Sequence, residues 1–405
     1  MTHRYVPLGL LLAAQLAGSC AQSTSTREAV RPGIDVLLDD SIHLIADRRL
    51  GLLTNQTGVD AAGRSDLDRL FTVGAQVTAI FAPEHGYRGV LDSSRIGHTV
   101  HTTGIPIFSL YGEARTPTAE MLAQIDVLVI DLQDVGARPY TYVSTALLAL
   151  EACRQHGTPA IVLDRPNPIG GVLVQGPVLD TAFASFVGMT PVPLRHGMTF
   201  GEIVIYGNAV LGIRADLRVV PASGWTRDAW FDVTGLPWVR PSPNMPNLTS
   251  ATHYPGTVLF EATNLSVGRG TPIAFQVVGA PWLDAAAVVA RVGERAGVLM
   301  RDTVITPEHP PDGKYGGLRV EAVWLHVTDR DVYDPISAAL ALLAAVRERH
   351  PDALEVNASR FAQLAGTDDV WSRLSAGESA DAVAAGWTSA LGRFEVDRAR
   401  YLLYR

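Results

Sequence analysis

Three acidic side chains stand at the ends of apolar segments in the first half of the chain. Glu84 follows AIFAP, Asp131 closes VLVID, and Asp164 closes IVLD. A positioned carboxyl group can donate or accept a proton during a reaction. Carboxyl groups that converge on one site would therefore predict acid/base chemistry.

The segments that carry these residues are short and apolar, with helix-length segments between them. Such runs are typical of buried parallel strands in an α/β sheet. In these sheets ligands bind in the crevice outside the carboxyl ends of the strands. We therefore expect the three carboxylates, together with Asn55 at the end of GLLTN, to converge on one cleft.

The segment FAPEHGYRG makes Glu84 the first candidate for a catalytic acid. We expect Phe81 and Tyr87 to shield this carboxyl partly from water, which favours the protonated form that a general acid needs. The alternative is a turn residue that pairs with Arg88. His85 and Arg88 are predicted to contact the substrate.

The segment DLQDVGARPYTY is a second cluster. Burying an ionised Asp131 without a partner is costly, so Arg138 could complete a purely structural ion pair. Alternatively, Asp131 or Asp134 takes part in the chemistry and Arg138 binds an anionic group of the substrate through two hydrogen bonds. Tyr140 is predicted to lie in the same site.

The segment EATNLSVGRGT is a third cluster and is rich in side-chain donors. Glu261, Asn264 and Arg269 are its candidate substrate contacts, although a surface loop would also explain the pattern. His196 in RHG and Asn247 in PSPNMPN are predicted to line the same cleft.

Several classes of function are disfavoured. The net charge is −8 and no basic run is present, so nucleic acid is not an expected partner. The chain contains no nucleophile-elbow, P-loop or zincin motif. The spacing of the histidines near Glu84 does not indicate a metal site, and no cofactor is expected.

The 405 residues are enough for about two domains. We predict an α/β fold with a Rossmann-like parallel-sheet domain at 31–224, a proline-rich linking loop at 225–257 and a smaller α+β domain at 258–405. The active cleft is expected between the two domains. Helices are predicted at 65–73, 118–125, 140–156, 199–211, 284–296, 335–350, 359–365 and 376–401.

The N-terminus has the pattern of a processing signal. A short apolar stretch ends in small residues directly before Cys20, which resembles a bacterial lipobox. Residues 1–20 are predicted to be a lipoprotein signal peptide and 21–30 a polar tether. Lipid on Cys20 would anchor the protein to a membrane on its periplasmic face. We expect the outer membrane rather than the inner membrane. The alternative is a secreted soluble protein.

Eight motifs occur in one order along the chain: TNQTGVD, FAPEHGYRG, SLYG, DLQDVGARPYTY, DRPNPIGG, HGMTFGE, PSPNMPN and EATNLSVGRGT. Together they resemble the exo-β-N-acetylmuramidases of glycoside hydrolase family 171. The resemblance implies a Rossmann-like N-terminal domain, a smaller C-terminal domain and a cleft between them. It also implies removal of terminal N-acetylmuramic acid from the non-reducing ends of peptidoglycan fragments.

The resemblance implies that Glu84 is a catalytic carboxyl, and we assign it as the general acid with Asp131 as the second carboxyl. Arg138, Asn264 and Arg269 would bind substrate or assist catalysis. N-acetylmuramic acid carries a lactyl carboxylate, for which Arg138 and Arg269 are candidate partners. Two alternatives are a periplasmic glycan-binding or solute-binding lipoprotein without catalysis, and a different cell-wall hydrolase.

Overall fold

The protein is described from a computed structural model that covers residues 1–3, 29–93 and 95–405. Within these residues the strands are β1 (Arg49–Thr54), β2 (Gln76–Ala82), β3 (Thr99–Val100), β4 (Pro106–Ser109), β5 (Val127–Asp131), β6 (Ala160–Leu163), β7 (Gln175–Val178), β8 (Pro193–Arg195), β9 (Leu217–Val220), β10 (Val277–Ala280), β11 (Val298–Ile305) and β12 (Val320–Val327). Cys20 and most of the predicted signal and tether lie outside the described residues.

The α-helices in the same part of the chain are α1 (Gly33–Asp40), α2 (Asp66–Thr72), α3 (Ala119–Leu122), α4 (Tyr142–His156), α5 (Phe200–Val210), α6 (Leu248–Thr257), α7 (Ala285–Val292), α8 (Pro335–Arg349), α9 (Ala358–Ala365), α10 (Asp369–Ser375), α11 (Ala380–Ala385) and α12 (Thr388–Arg398). No described helix is long and apolar enough to cross a membrane.

A seven-stranded sheet forms the centre of the first unit, in the order β3-β4-β2-β1-β5-β6-β9. Every neighbouring pair is parallel except β3 with β4. Its central strands are apolar and buried, as in sheets covered on both faces. The predicted α/β fold is confirmed, and the carboxyl ends of five predicted strands share one edge.

The second unit has an antiparallel sheet in the order β10-β12-β11. Helix α7 packs against β11 and β12, and α8 packs against both α7 and α6. One buried apolar cluster runs from Leu128 in the first sheet through Leu259 to Leu342 in α8. The smaller α+β part is therefore confirmed, and it shares its core with the first unit. The residue limits of the two domains stay predictions.

The proline-rich stretch 225–257 was predicted as a loop throughout, which is wrong for its last ten residues. They form α6, with Pro255 inside the helix and the side chain of Asn247 capping its first turn. Packing outweighs the cost of the proline, because every residue from 250 to 257 is buried. Gly256 permits this packing, since a Cβ there would lie 1.9 Å from the carbonyl oxygen of Pro335 at the start of α8.

The C-terminal segment also differs from the single helix predicted at 376–401. It forms α11 and α12, which are separated at Gly386 and Trp387. The chain after α12 returns to the first unit, where the hydroxyl of Tyr404 donates to Asp164 over 2.6 Å. The last residues of the chain thus help to hold the sheet that carries the predicted site.

Candidate active site

A cavity of about 400 Å³ opens at the carboxyl edge of the large sheet. Its walls come from both units, as predicted, and its size is typical of a small-molecule site. Five predicted site residues line it: Glu84, His85, Tyr140, Glu261 and Arg269. The residues that add chemistry without having been predicted are Asp92, Tyr111, Arg115, Thr141, Tyr254 and Arg360.

Glu84 lies in the turn that follows β2. His85 has a φ of +71°, and its Nδ1 lies 2.8 Å from the carbonyl oxygen of Leu91, which fixes this left-handed turn. The Glu84 side chain is thereby half-buried in the cavity wall. Its predicted neighbour Tyr87 instead lines a different cavity on the far side of the turn.

Two hydroxyl groups hold the Glu84 carboxyl. Thr141, the residue before α4, donates from its Oγ1 to Glu84 Oε2 over 2.5 Å. Tyr111 hydrogen-bonds to the same carboxyl, and burial followed by the charge of Glu84 raises the Tyr111 pKa above its usual value. Tyr111 therefore stays a neutral hydrogen-bond donor to Glu84.

Aromatic rings form one wall of the cavity. The rings of Tyr140 and Tyr254 meet edge to face at 5.9 Å, and those of Tyr254 and Phe275 at 4.8 Å. Burial raises the pKa of both tyrosines well above the usual value. The wall is therefore neutral and mainly apolar.

Arg269 and Glu261 form an ion pair in the cavity, with Nε to Oε1 at 2.9 Å. Burial opposes the charge on Arg269, but Glu261 outweighs that effect and the Arg269 pKa lies above its usual value. Because this guanidinium already has a carboxylate partner, Arg269 is poorly placed to serve as the main partner of a substrate anion.

Arg360 and Arg115 form no ion pair within the described part of the chain. Arg360 is half-buried on α9, where its Nη1 donates to Gln363 Oε1 over 3.3 Å. Arg115 lies at the mouth, with its guanidinium carbon 4.2 Å from the centroid of the Phe186 ring. Asp92 lines the cavity and accepts a hydrogen bond from Asn244 Nδ2 over 2.8 Å. Arg360 is thus the cation inside the cavity that an anionic ligand can reach.

Asp131 does not line the cavity, in contrast to the prediction. It is fully buried, and both of its oxygens accept hydrogen bonds from Arg165, with Nη2 to Oδ2 at 2.9 Å. The hypothesis of a structural ion pair was right, but its partner was not Arg138. Arg165 follows the neighbouring strand β6 and therefore reaches Asp131 directly.

Arg138 is likewise directed into the protein. Its guanidinium donates to the carbonyl oxygens of Pro177, Val192 and Leu364 at 2.9–3.1 Å, behind the cavity wall. Burial lowers the pKa of Arg138 to about 9. The predicted contact with a substrate carboxylate is therefore not made from this position.

Asp164 also has a structural environment. It is fully buried and accepts hydrogen bonds from the Thr199 hydroxyl, the Gly201 amide and the Tyr404 hydroxyl. Burial raises its pKa to about 6, although these donors oppose the shift. Asp164 joins the end of β6 to the start of α5 and to the C-terminus.

Six other predicted residues do not line the cavity. Asn55 Nδ2 donates to the Tyr142 hydroxyl over 2.8 Å, and Asp134 Oδ2 accepts from the Gly136 amide. His196 Nε2 lies 3.6 Å from Asp134 Oδ2. The remaining three are Asn247, the cap of α6, Asn264, which binds backbone at 353 and 355, and Arg88, which is exposed.

No group of three or more histidine, cysteine, aspartate or glutamate side chains within the described ranges could hold a metal ion. The described residues that line the cavity carry carboxyl, hydroxyl, guanidinium and imidazole groups. Glu84 is the carboxyl there without a cationic partner and with hydroxyl donors, which suits proton transfer to a bound ligand.

Comparison with known families gives two matches that together span most of the chain. Residues 50–249 match the family described as Exo-beta-N-acetylmuramidase NamZ, N-terminal, and residues 252–404 match its C-terminal counterpart. The peptidoglycan beta-N-acetylmuramidase NamZ of Bacillus subtilis (strain 168) is 38% identical over 402 residues, which covers 98% of this chain and 96% of that protein.

Two crystal structures of DUF1343 family proteins from Bacteroides fragilis NCTC 9343 have the same fold. One has a TM-score of 0.86 at 31% identity, and covers 93% of this chain and 99% of its own. The other has a TM-score of 0.73 at 31% identity with the same coverage. The similarity therefore includes both units of the chain.

Proposed function

The chain belongs to the exo-β-N-acetylmuramidase family and is a glycoside hydrolase, and we propose that it removes terminal β-linked N-acetylmuramic acid from the non-reducing ends of peptidoglycan fragments. The cavity around Glu84 is its active site. The observation that carries this assignment is a half-buried carboxyl, held by two hydroxyls, in a cavity that also contains Arg360, which forms no ion pair with any other described residue.

Glu84 acts as the general acid. Cleavage of a glycosidic bond requires protonation of the leaving oxygen, which a carboxyl at hydrogen-bonding distance supplies. Thr141 and Tyr111 fix the orientation of the carboxyl. Asp131 cannot be its counterpart from inside the ion pair with Arg165, so the second group comes from the cavity itself or from the substrate's acetamido group.

Arg360 recognises the lactyl carboxylate that distinguishes N-acetylmuramic acid from N-acetylglucosamine. It takes the role predicted for Arg138 and Arg269, because the first points away from the cavity and the second is paired with Glu261. A charge-assisted hydrogen bond of this kind contributes about 1.5–3 kcal/mol.

The test compares a chromogenic β-N-acetylmuramide with the matching N-acetylglucosaminide. We expect the wild-type protein to cleave the muramide, and Arg360→Gln to lower kcat/KM for it by roughly 10- to 100-fold. Arg218→Gln, an exposed arginine on β9 outside the cavity, is the matched control. Equal cleavage of both substrates by the wild-type protein would reject a muramic acid site.

We also propose that the protein is a lipoprotein of the periplasmic face, anchored through Cys20. The support is the apolar leader and the small residues that precede this cysteine. Labelling cells with a tagged palmitate should mark the wild-type protein and leave Cys20→Ala unlabelled. Label on both proteins would contradict the assignment.

A further inference from the structure

A second depression, of about 700 Å³, lies beside the active cavity. Its floor is the outer side of α4, which presents Leu148, Glu151 and Arg154. Phe186 and Met189 form one wall, and the end of α5 forms the other. We refer to this depression as the α4 groove.

The α4 groove adjoins the active cavity. Arg115, Ser185 and Phe186 border both spaces. Arg115 stacks on Phe186, so an arginine held by an aromatic ring lies at the boundary between the two spaces. A ligand that fills the cavity can therefore extend past Arg115 into the groove.

The chemistry of the groove suits a saccharide. Sugar rings have apolar faces, for which Phe186, Met189 and Leu148 provide a surface, and polar edges, for which Arg154 and Glu151 provide hydrogen-bonding groups. Arg154 is exposed and forms no ion pair within the described residues. It is therefore available to a carboxylate of the ligand.

We propose that the α4 groove binds the part of the glycan beyond the scissile bond, namely the leaving saccharide and the next muramyl unit with its carboxylate. This inference rests on the proposed function. In an exo-acting enzyme the terminal sugar fills the closed cavity, so the rest of the chain must leave through the mouth. Arg115 lies at the mouth and also borders this groove, which Arg154 lines as well.

The experiment compares a short substrate with a long one. The chromogenic muramide fills only the cavity, whereas a tetrasaccharide with terminal N-acetylmuramic acid and an internal muramyl unit also occupies the groove. For Arg154→Glu we expect kcat/KM on the tetrasaccharide to fall about 5- to 20-fold, mainly through KM, with the chromogenic rate within about twofold of wild type.

The matched control is Arg393→Glu, which makes the same charge change at an exposed position of α12. Unchanged tetrasaccharide kinetics in Arg154→Glu would overturn the inference, as would an equal loss on both substrates. If the wild-type protein cleaved neither substrate, the proposed function would fail. In that case calorimetry would test the binding role of the α4 groove separately. Equal affinity of the wild-type protein and Arg154→Glu for the tetrasaccharide would overturn the proposal that the groove binds the glycan.

Discussion

Glu84 differs from the other strand-end carboxylates in what surrounds its oxygens. Asp131 is neutralised by Arg165, and Asp164 accepts hydrogen bonds from the start of α5 and from the C-terminal segment. The Glu84 carboxyl accepts hydrogen bonds from hydroxyl groups, and its side chain is half-buried and lines a cavity. Of these three carboxyl groups, only that of Glu84 is free to exchange a proton with a ligand.

The hydroxyl of Thr141 should be needed to position Glu84. In Thr141→Val the side chain keeps its shape but cannot donate, so we expect kcat/KM to fall about 10-fold, in line with a hydrogen bond to a charged group. Thr141→Ser should restore most of the activity. Steady-state kinetics on the muramide check this, and full activity in the valine variant would refute the positioning role.

The sequence identified the cavity but not all the residues that line it. Glu84, His85, Tyr140, Glu261 and Arg269 lie in motifs that were singled out, and all five line the cavity. Arg360 could not be found, because α9 carries no motif. Its place in the same cavity as Glu84 depends on contacts distant in sequence. Thr141 stood within a quoted motif, and its pairing with Glu84 required the turn geometry after β2.

At the scale of elements, the apolar segments correctly predicted parallel strands. Parallel strands bring their carboxyl ends to one edge of the sheet. The direction of each side chain depends on neighbouring elements and was not predictable. Asp131 faces Arg165 of the adjacent β6 end, and Asp164 faces the first turn of α5. The sequence therefore placed the strand-end carboxylates correctly at one edge of the sheet. The prediction that their side chains share one site was wrong, because only Glu84 lines the cavity.

The junction of β6 with α5 provides a pH-dependent test of this structural role. Asp164→Asn should be less stable, because an amide nitrogen replaces an oxygen that accepts hydrogen bonds. The pKa of Asp164 is raised to about 6 from 3.8, so its contribution to stability is full below pH ~4 and is lost as the pH rises through ~6.

The stability difference between wild type and Asp164→Asn should consequently be larger at pH 4.5 than at pH 7.5, by about 2 kcal/mol. Urea unfolding at the two pH values measures it, with Asp216→Asn as an exposed control. A difference independent of pH would show that Asp164 is not protonated in the folded protein near pH 5.

At the scale of the whole molecule, the C-terminus closes the structure onto the first unit. Arg398 donates to the carbonyl oxygens of His196 and Gly197, and the Leu403 amide donates to Glu202 over 2.8 Å. The ring of Tyr404 packs edge to face on Trp225 at 5.0 Å. The first unit therefore depends on residues some 200 positions later in sequence, which no local pattern indicates.

Removal of residues 402–405 should lower the melting temperature by several degrees, because buried groups of Asp164 and Glu202 lose donors. Activity at 25 °C should persist, since these residues lie outside the cavity. Calorimetry on the truncated protein, with Arg400→Ala as an exposed control, measures the effect. A melting temperature equal to that of wild type would contradict this role of the C-terminus.

The most direct test of the account is the dependence of Glu84→Gln on the leaving group. The amide still accepts from Thr141, so the variant should fold, but it cannot donate a proton as an acid does. We expect hydrolysis of the disaccharide of N-acetylmuramic acid and N-acetylglucosamine to fall about 10²- to 10⁴-fold. The second substrate is the dinitrophenyl β-glycoside of N-acetylmuramic acid, whose leaving group needs no protonation. We expect Glu84→Gln to release dinitrophenolate from it in the first turnover at nearly the wild-type rate. Equal losses on both substrates, or no loss on the disaccharide, would contradict the assignment of Glu84 as the acid of an exo-muramidase.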